Sequence, residues 1–427
     1  MGSKAVGRLM GGIERSELLD GIQSLILGLA VIALFQRIDL QISSGLVLIW
    51  LVISLLRQAD ARPWSFVLLG LLMLNIRWVV LDEGPMPVSP MDYILMLTAF
   101  ACGFRRPFAW WFRLASTVAV ATLIGVLLHL DAVVDFARFG IEYHIAALTK
   151  NQTALLAGLA SLCSLIGWLA GRVLWSRLLH ALSLVGGLTL LRATDSRAGV
   201  GMLCLAVLLS GLLVAGPRLL SFWRRRFAHL RRPWLIATAA LVVVVLALWL
   251  WYQQWTQVEP VLGGAAIGQI YGEENLENDA ARLRLWNCYL GLPFTGSNRF
   301  VWGVGYEKAW RVLCTAEQVG RPLSHAHNLP LQVWGENGVV GITFLLTWLG
   351  WVFARMFRNV CRPDGGSSRL AVFASSSLVF YLMGFNLFEL GMVKIPLFII
   401  FFGLFLACPF STEPPPRPLS ALAGSQV

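Results

Sequence analysis

Two histidines and four arginines carry most of the chemistry open to this chain. His325 and His327 stand in Ser324-His325-Ala326-His327-Asn328-Leu329-Pro330-Leu331-Gln332, which runs on to Gly338-Val339-Val340-Gly341. A histidine titrates near neutrality, so it can take the proton of a hydroxyl as that hydroxyl attacks. The two rings are two residues apart and share a face of an extended segment, so on residue chemistry alone either can be the base. The plainer alternative is a histidine that caps a helix or bonds a neighbouring carbonyl. Pro330 is well placed in a first helical turn, where a missing N–H forfeits no bond. His327 and Asn328 are therefore expected at the mouth of a helix.

The arginines are Arg197 in Ser196-Arg197-Ala198-Gly199, Arg282 and Arg284 in Ala281-Arg282-Leu283-Arg284-Leu285-Trp286, and Arg77 in Asn75-Ile76-Arg77-Trp78. A guanidinium fork donates two hydrogen bonds at once and suits phosphate oxygens. Snorkelling, with the charge in water and the stem in lipid, competes with that role at each position. Arg77 falls inside an apolar run near its outer end, where ionisable groups are usually functional. Binding and snorkelling both stay open there. His325 and His327 lack a Cys, His or carboxylate partner set at metal-ligand spacing, so the sequence offers no metal-site pattern.

The elements that must position these residues are membrane helices. The chain is 57% hydrophobic and 13% charged, with a mean hydropathy of +0.70. A soluble core has no use for that much apolar surface. The fold class expected is all-α and polytopic, with about twelve spans: 18–35, 42–56, 63–81, 88–104, 107–130, 153–171, 177–191, 198–217, 234–255, 338–357, 370–388 and 393–410. Met1 to Asp20 is polar and amphipathic with no small-residue cleavage site, so no removable signal peptide is expected.

The net charge of +11 does not point to nucleic acid, because the cations cluster in alternate short loops. One set holds Arg57 and Arg62; Arg105, Arg106 and Arg113; Arg172 and Arg177; Arg218, Arg224 to Arg226, Arg231 and Arg232; and Arg355, Arg358, Arg362 and Arg369. The positive-inside rule makes that set cytoplasmic, together with both termini. Arg224-Arg225-Arg226 reads as a topology anchor near anionic lipid. The other side carries Asp82-Glu83, a medium loop from Asp131 to Asn151 with amphipathic character, and a long segment from Val258 to Asn328. That long segment has six Lys/Arg against seven Asp/Glu and must form a small domain or folded lid.

The expected organisation is nine spans over 1–257, a loop domain over 258–328, three spans over 329–410, and a disordered tail over 411–427. Cys102, Cys163, Cys204 and Cys408 read as small apolar residues of the spans, and Cys361 as one on the cytoplasmic side. Cys288 and Cys314 both fall in the long outer segment and are a possible disulfide.

His327-Asn328, nine residues, then Gly338-Val339-Val340-Gly341 resembles the signature of the bacterial O-antigen ligases. These share a superfamily with O-antigen polymerases and O-linked oligosaccharyltransferases. Ser196-Arg197-Ala198-Gly199 resembles the Ser-Arg-small start of a span in that family, although Gly201 and then Leu203 stand where a leucine is expected four positions on. Arg282-Leu283-Arg284-Leu285-Trp286 resembles its Arg-Leu-x-x-Trp element, and Gly303-Val304-Gly305-Tyr306 its Gly-x-Gly.

The resemblance implies a GT-C-like glycosyltransferase of the bacterial inner membrane. A glycan passes from undecaprenyl pyrophosphate to a hydroxyl of lipid A–core at the periplasmic face, without metal and with inversion. On that reading His327 is the base. Arg197 and Arg282, with Arg284 behind them, compensate the departing pyrophosphate. Asn328 orients the histidine or bonds the acceptor. His325 and Arg77 are further substrate-binding candidates. A polymerase or an oligosaccharyltransferase would use the same parts on another acceptor. A lipid-linked-glycan transporter is the reading from a different class, but no internal repeat supports it.

Overall fold

The computed structural model describes residues 3–36, 40–57, 63–65, 67–70, 90–139, 143, 145, 148–194, 196–226, 273–305, 309, 313–320, 325–361, 369–388 and 395–411. The regular elements among them are all helical. They are α1 (Ser3–Phe35), α2 (Leu40–Leu56), α3 (Pro90–Gly103), α4 (Phe108–Leu128), α5 (Leu130–Phe139), α6 (Lys150–Ala170), α7 (Leu174–Ala193) and α8 (Arg197–Arg226). After these come α9 (Glu273–Gly291), α10 (Ser297–Trp302), α11 (Ala316–Val319), α12 (Leu329–Cys361), α13 (Arg369–Phe388) and α14 (Pro396–Leu406).

Seven described stretches are long and apolar enough to cross a membrane: Leu18–Phe35, Phe108–Leu128, Lys150–Ala170, Leu174–Ala193, Ala198–Gly216, Leu329–Val360 and Arg369–Leu387. Gln41–Leu56, Asp92–Gly103 and Pro396–Phe410 are shorter apolar helices. The chain is thus a multi-pass membrane protein, helical in all the regular elements among its described residues. The expected span at 234–255 and most of that at 63–81, with Arg77, lie outside the described residues. So do Arg62, Asp82-Glu83, Arg231, Arg232, residues 258–272 of the expected loop domain, Ser324 and the tail from 412.

The bundle is held by close helix approach, as suits a setting where lipid is as apolar as the core. α6 packs against α4, α7, α8 and α13, α8 runs along α13, and α14 lies on α3. A Cβ at Gly403 of α14 would fall 1.9 Å from the Met96 carbonyl oxygen, so only glycine allows that contact. The buried Tyr381 of α13 sits over Gly158 and donates its hydroxyl proton to the α6 carbonyls of Ala154 at 3.0 Å and Leu155 at 3.3 Å. That is how an apolar bundle satisfies a polar atom it buries.

One end of the bundle collects arginines. Arg57 and Arg113 each reach one oxygen of Asp20 at 2.5 Å. Arg106 donates to the carbonyls of Cys102 and Ser54, both at 3.0 Å, and lies 5.5 Å from the centroid of the Trp110 ring. Burial pushes its guanidinium below the ordinary arginine range.

α9, α11, residues from the segments between them and the turn before α12 form a second, smaller core. It contains Ala281, Leu285, Tyr289, Leu292, Val304, Ala309, Cys314, Val319 and Ala326. Cys288 and Cys314 are joined by a disulfide, with Cα atoms 6.0 Å apart and 26 residues of separation. A cross-link closing a loop of that size contributes about 3 kcal/mol through the unfolded state. Cys314→Ala should therefore speed hydrogen exchange across 281–292 while leaving 154–166 of the bundle unchanged. Equal exchange with and without the bond would show that the small core stands without it.

Candidate functional site

α12 begins where the sequence places it. Asn328 is its cap: the side-chain oxygen accepts from Leu331 N–H at 3.0 Å, and Pro330 occupies the first turn. The cap is tied sideways as well, because Asn328 Nδ2 donates to the Leu387 carbonyl of α13 at 2.9 Å. One asparagine thus fixes the mouth of α12 against a neighbouring span.

The helix does not run straight. Gly338 has φ 58° and ψ −154°, a conformation open essentially to glycine alone. Residues 338–361 beyond the break rise about 36 Å, enough to cross the apolar layer unaided. The arm from Leu329 to Asn337 is a separate piece, and the expected span beginning at Gly338 is the part beyond the break. Gly303, at φ 73° and ψ −166°, sits in the bend. Val304 N–H donates to the Gly335 carbonyl and Gly305 N–H to the Glu336 carbonyl, both at 2.9 Å. Backbone therefore meets backbone where Gly303-x-Gly305 crosses Gly338-x-x-Gly341. Gly303 and Gly338 meet backbone to backbone in this joint, which is the physical reason each of those two is glycine.

The histidines sit just ahead of the cap. His327 takes a left-handed conformation, with φ 52°. For a residue with a Cβ this costs on the order of 1 kcal/mol and must be imposed by its surroundings. His325 and His327 stack with ring centroids 4.2 Å apart and planes 28° apart. Both are partly exposed, while Ala326 between them is fully buried in the small core. Trp286 Nε1 of α9 donates to the Ala326 carbonyl at 2.6 Å, and the Ala326 N–H donates to Gln332 Oε1 of α12 at 2.7 Å. Both polar groups of one peptide residue are taken, by side chains from two helices. The histidines flank that fixed point in the chain, with their rings stacked together.

The Arg-Leu-x-x-Trp element and the histidine element therefore meet through Trp286 and Ala326. Arg284 and Arg282 lie on α9 in the same stretch. Arg284 is largely exposed and donates through Nε to the Val319 carbonyl at 2.8 Å, so it also braces α11. Arg282 is half-buried. Arg197 opens α8. Ser196 just before it bonds Asn151 Oδ1 of α6 at 3.3 Å and accepts from Gly199 N–H at 3.3 Å, which fixes the start of that helix. Met202 of α8 packs on Gly384 of α13, where a Cβ would lie 2.7 Å from its sulfur. Leu387 of α13, bonded by Asn328, is one turn further along. The start of α8 and the mouth of α12 thus flank the same end of α13.

Gln332 and Glu336 are not among the sequence-derived candidates. Both are polar, four residues apart, in an otherwise apolar helix start. That spacing puts them on one face and is the signal that could have found them. Gln332 Nε2 donates to Glu336 Oε1, and Glu336 is fully buried.

Residues 182–346, less than half of the chain, match the protein-family model described as O-Antigen ligase. The matched stretch holds all four motifs: Ser196–Gly199, Arg282–Trp286, Gly303–Tyr306 and His327–Gly341. It supports a membrane glycosyltransferase of the ligase and polymerase kind. No curated protein sequence matches the chain.

Proposed function

We propose that this protein is an O-antigen ligase. It moves a glycan from undecaprenyl pyrophosphate to a hydroxyl of lipid A–core, at the periplasmic face of the bacterial inner membrane. The observation that carries this reading is His327. It is held in a left-handed backbone conformation at the mouth of α12, inside the family-matched stretch.

The chemistry follows from the residues. The acceptor hydroxyl is a poor nucleophile while protonated, and His327 takes its proton as the oxygen bonds to the anomeric carbon. The bond from that carbon to the pyrophosphate oxygen breaks, and the electron pair leaves with the phosphate. Arg197 and Arg282 face that growing charge, with Arg284 beside Arg282. Asn328 fixes the turn that carries the base. His325, stacked on His327, and Arg77 complete the substrate-binding set. The step consumes no cofactor: the proton goes to the histidine and the charge to the leaving group. Inversion follows from attack opposite the departing oxygen.

Two further features support the outward orientation. Arg57, Arg106 and Arg113 gather at one end of the bundle, as the cytoplasmic side of an inner-membrane protein would require. The disulfide of the small core suits an oxidising compartment. The domain reading is nine spans over 1–257, a loop domain over 258–328 covering the site, three spans over 329–410 and a cytoplasmic tail.

Deletion of the gene in its own host tests the assignment. Loss of the ligase leaves short lipid A–core, with full-length glycan still on the polyprenyl carrier. Loss of a polymerase would instead leave lipid A–core bearing a single repeat, and lipopolysaccharide unchanged in length and amount would contradict both.

A further inference from the structure

We infer that Gln332 and Glu336 are positioning residues for His327, acting as a directional hydrogen-bond relay through the backbone of Ala326. The inference rests on the reading of His327 as the base and names what holds it in place.

The relay has a fixed sense. The Ala326 N–H is a donor and needs an acceptor, and Gln332 Oε1 supplies it at 2.7 Å. A side-chain amide presents its oxygen on one side only, so the Gln332 NH₂ must then face the other way. There it meets Glu336 Oε1, and a carboxyl oxygen that carries no proton can only accept. Glu336 thus dictates which way round the Gln332 amide sits, and the amide dictates that Ala326 N–H is held. All three residues are nearly or wholly inaccessible: Glu336 and Ala326 at 0% exposure and Gln332 at 6%. Water does not offer a substitute partner cheaply in such a place.

The opposite side of the same residue is held by Trp286 at 2.6 Å. With both polar groups of Ala326 fixed, the chain on either side has little freedom. The left-handed turn at His327 follows, ahead of the Asn328 cap. A glutamate and a glutamine buried four residues apart would be costly as mere packing. As a relay they set the direction from which the His327 ring meets the acceptor.

The directional claim has a direct test in a swap. Gln332→Glu alone sets two carboxylates against each other in a buried site, so one must take a proton or swing away. The relay predicts that kcat falls on the order of tenfold to a hundredfold, the usual effect of a base displaced by about an ångström, with the donor KM changed by less than about threefold. Glu336→Leu removes the acceptor and should lower kcat in the same way. Glu336→Gln keeps a carbonyl acceptor and should stay within about threefold of the parent. The double variant Gln332→Glu/Glu336→Gln restores the sense of the chain: a carboxylate accepts from Ala326 N–H and from the new amide. It should recover kcat to within about threefold.

Deuterium exchange at Ala326 supplies a readout independent of turnover. It should quicken in Gln332→Glu and Glu336→Leu and return to the parental rate in the double variant. A folded double variant that stays slow in turnover and fast in exchange overturns the relay, as does a Gln332→Glu protein indistinguishable from the parent. If Gln332→Glu fails to fold, the double variant must still fold, and its failure also overturns the relay. Should His327→Ala turn over at the parental rate, the reading of the base falls instead. Exchange at Ala326 then decides on the relay by itself.

Discussion

His327→Ala is expected to lower kcat for glycan transfer by about 10²–10⁴-fold, the range that a positioned general base supplies. The donor KM should hardly move, because the ring acts on the acceptor proton and the pyrophosphate is held elsewhere. The fold should survive, because His327 is partly exposed and lies outside both buried cores. The backbone needs a separate control, since position 327 sits at φ 52° and alanine carries the same left-handed strain. Asparagine tolerates that region better than most residues and is no base. His327→Asn should therefore match His327→Ala in turnover and the parent in melting temperature. His325→Ala should cost far less, through loss of the stacking partner. If the large loss followed His325 instead, the roles of the two rings would be exchanged.

The second large effect is on stability. Gly338→Ala should destabilise the protein by about 3–5 kcal/mol, from a backbone conformation that L residues rarely adopt together with a hard steric clash. A Cβ at Gly338 would lie 2.5 Å from the Gly303 nitrogen and 2.7 Å from the Phe300 and Val301 carbonyl oxygens. Gly303→Ala attacks the joint from the other face, where the Cβ would lie 2.3 Å from the Glu336 carbonyl carbon. These neighbours are backbone and cannot swing aside. Gly350 provides the comparison within the same helix, because a Cβ there meets nothing within 4 Å. Gly350→Ala should be neutral or stabilising by up to about 1 kcal/mol. Thermal unfolding in detergent ranks the three. Equal melting temperatures for Gly338→Ala and Gly350→Ala would mean that the break in α12 is not needed.

Much of this architecture is legible in the residues. Long apolar runs mark the spans, and Asn328 and Pro330 mark the mouth of α12, because caps and first-turn prolines act locally. The glycine motifs are legible as motifs, but their partnership is not. Gly303 and Gly338 are far apart in sequence, and nothing local says that one backbone crosses the other at the bend. The same holds for Trp286, which reads as an aromatic in an Arg-Leu segment until its N–H is found on Ala326. Gln332 and Glu336 share a face by spacing alone. What they hold depends on a turn that packs back on them, a tertiary fact that periodicity cannot carry. The expected start of the tenth span at Gly338 shows the limit from another side. Hydropathy finds where the apolar crossing begins, while hydrogen bonding starts the helix at Leu329.

The central claim is transfer of a lipid-linked glycan to lipid A–core, and the most direct measurement is the mass of the acceptor. Purified protein in vesicles would receive undecaprenyl-pyrophosphate glycan and lipid A–core, with EDTA present. The expected product is a lipid A–core heavier by one whole glycan, with one undecaprenyl pyrophosphate released per transfer. Folded protein that leaves the acceptor mass unchanged while extending the lipid-linked glycan, or while releasing pyrophosphate with no acceptor modified, would contradict it.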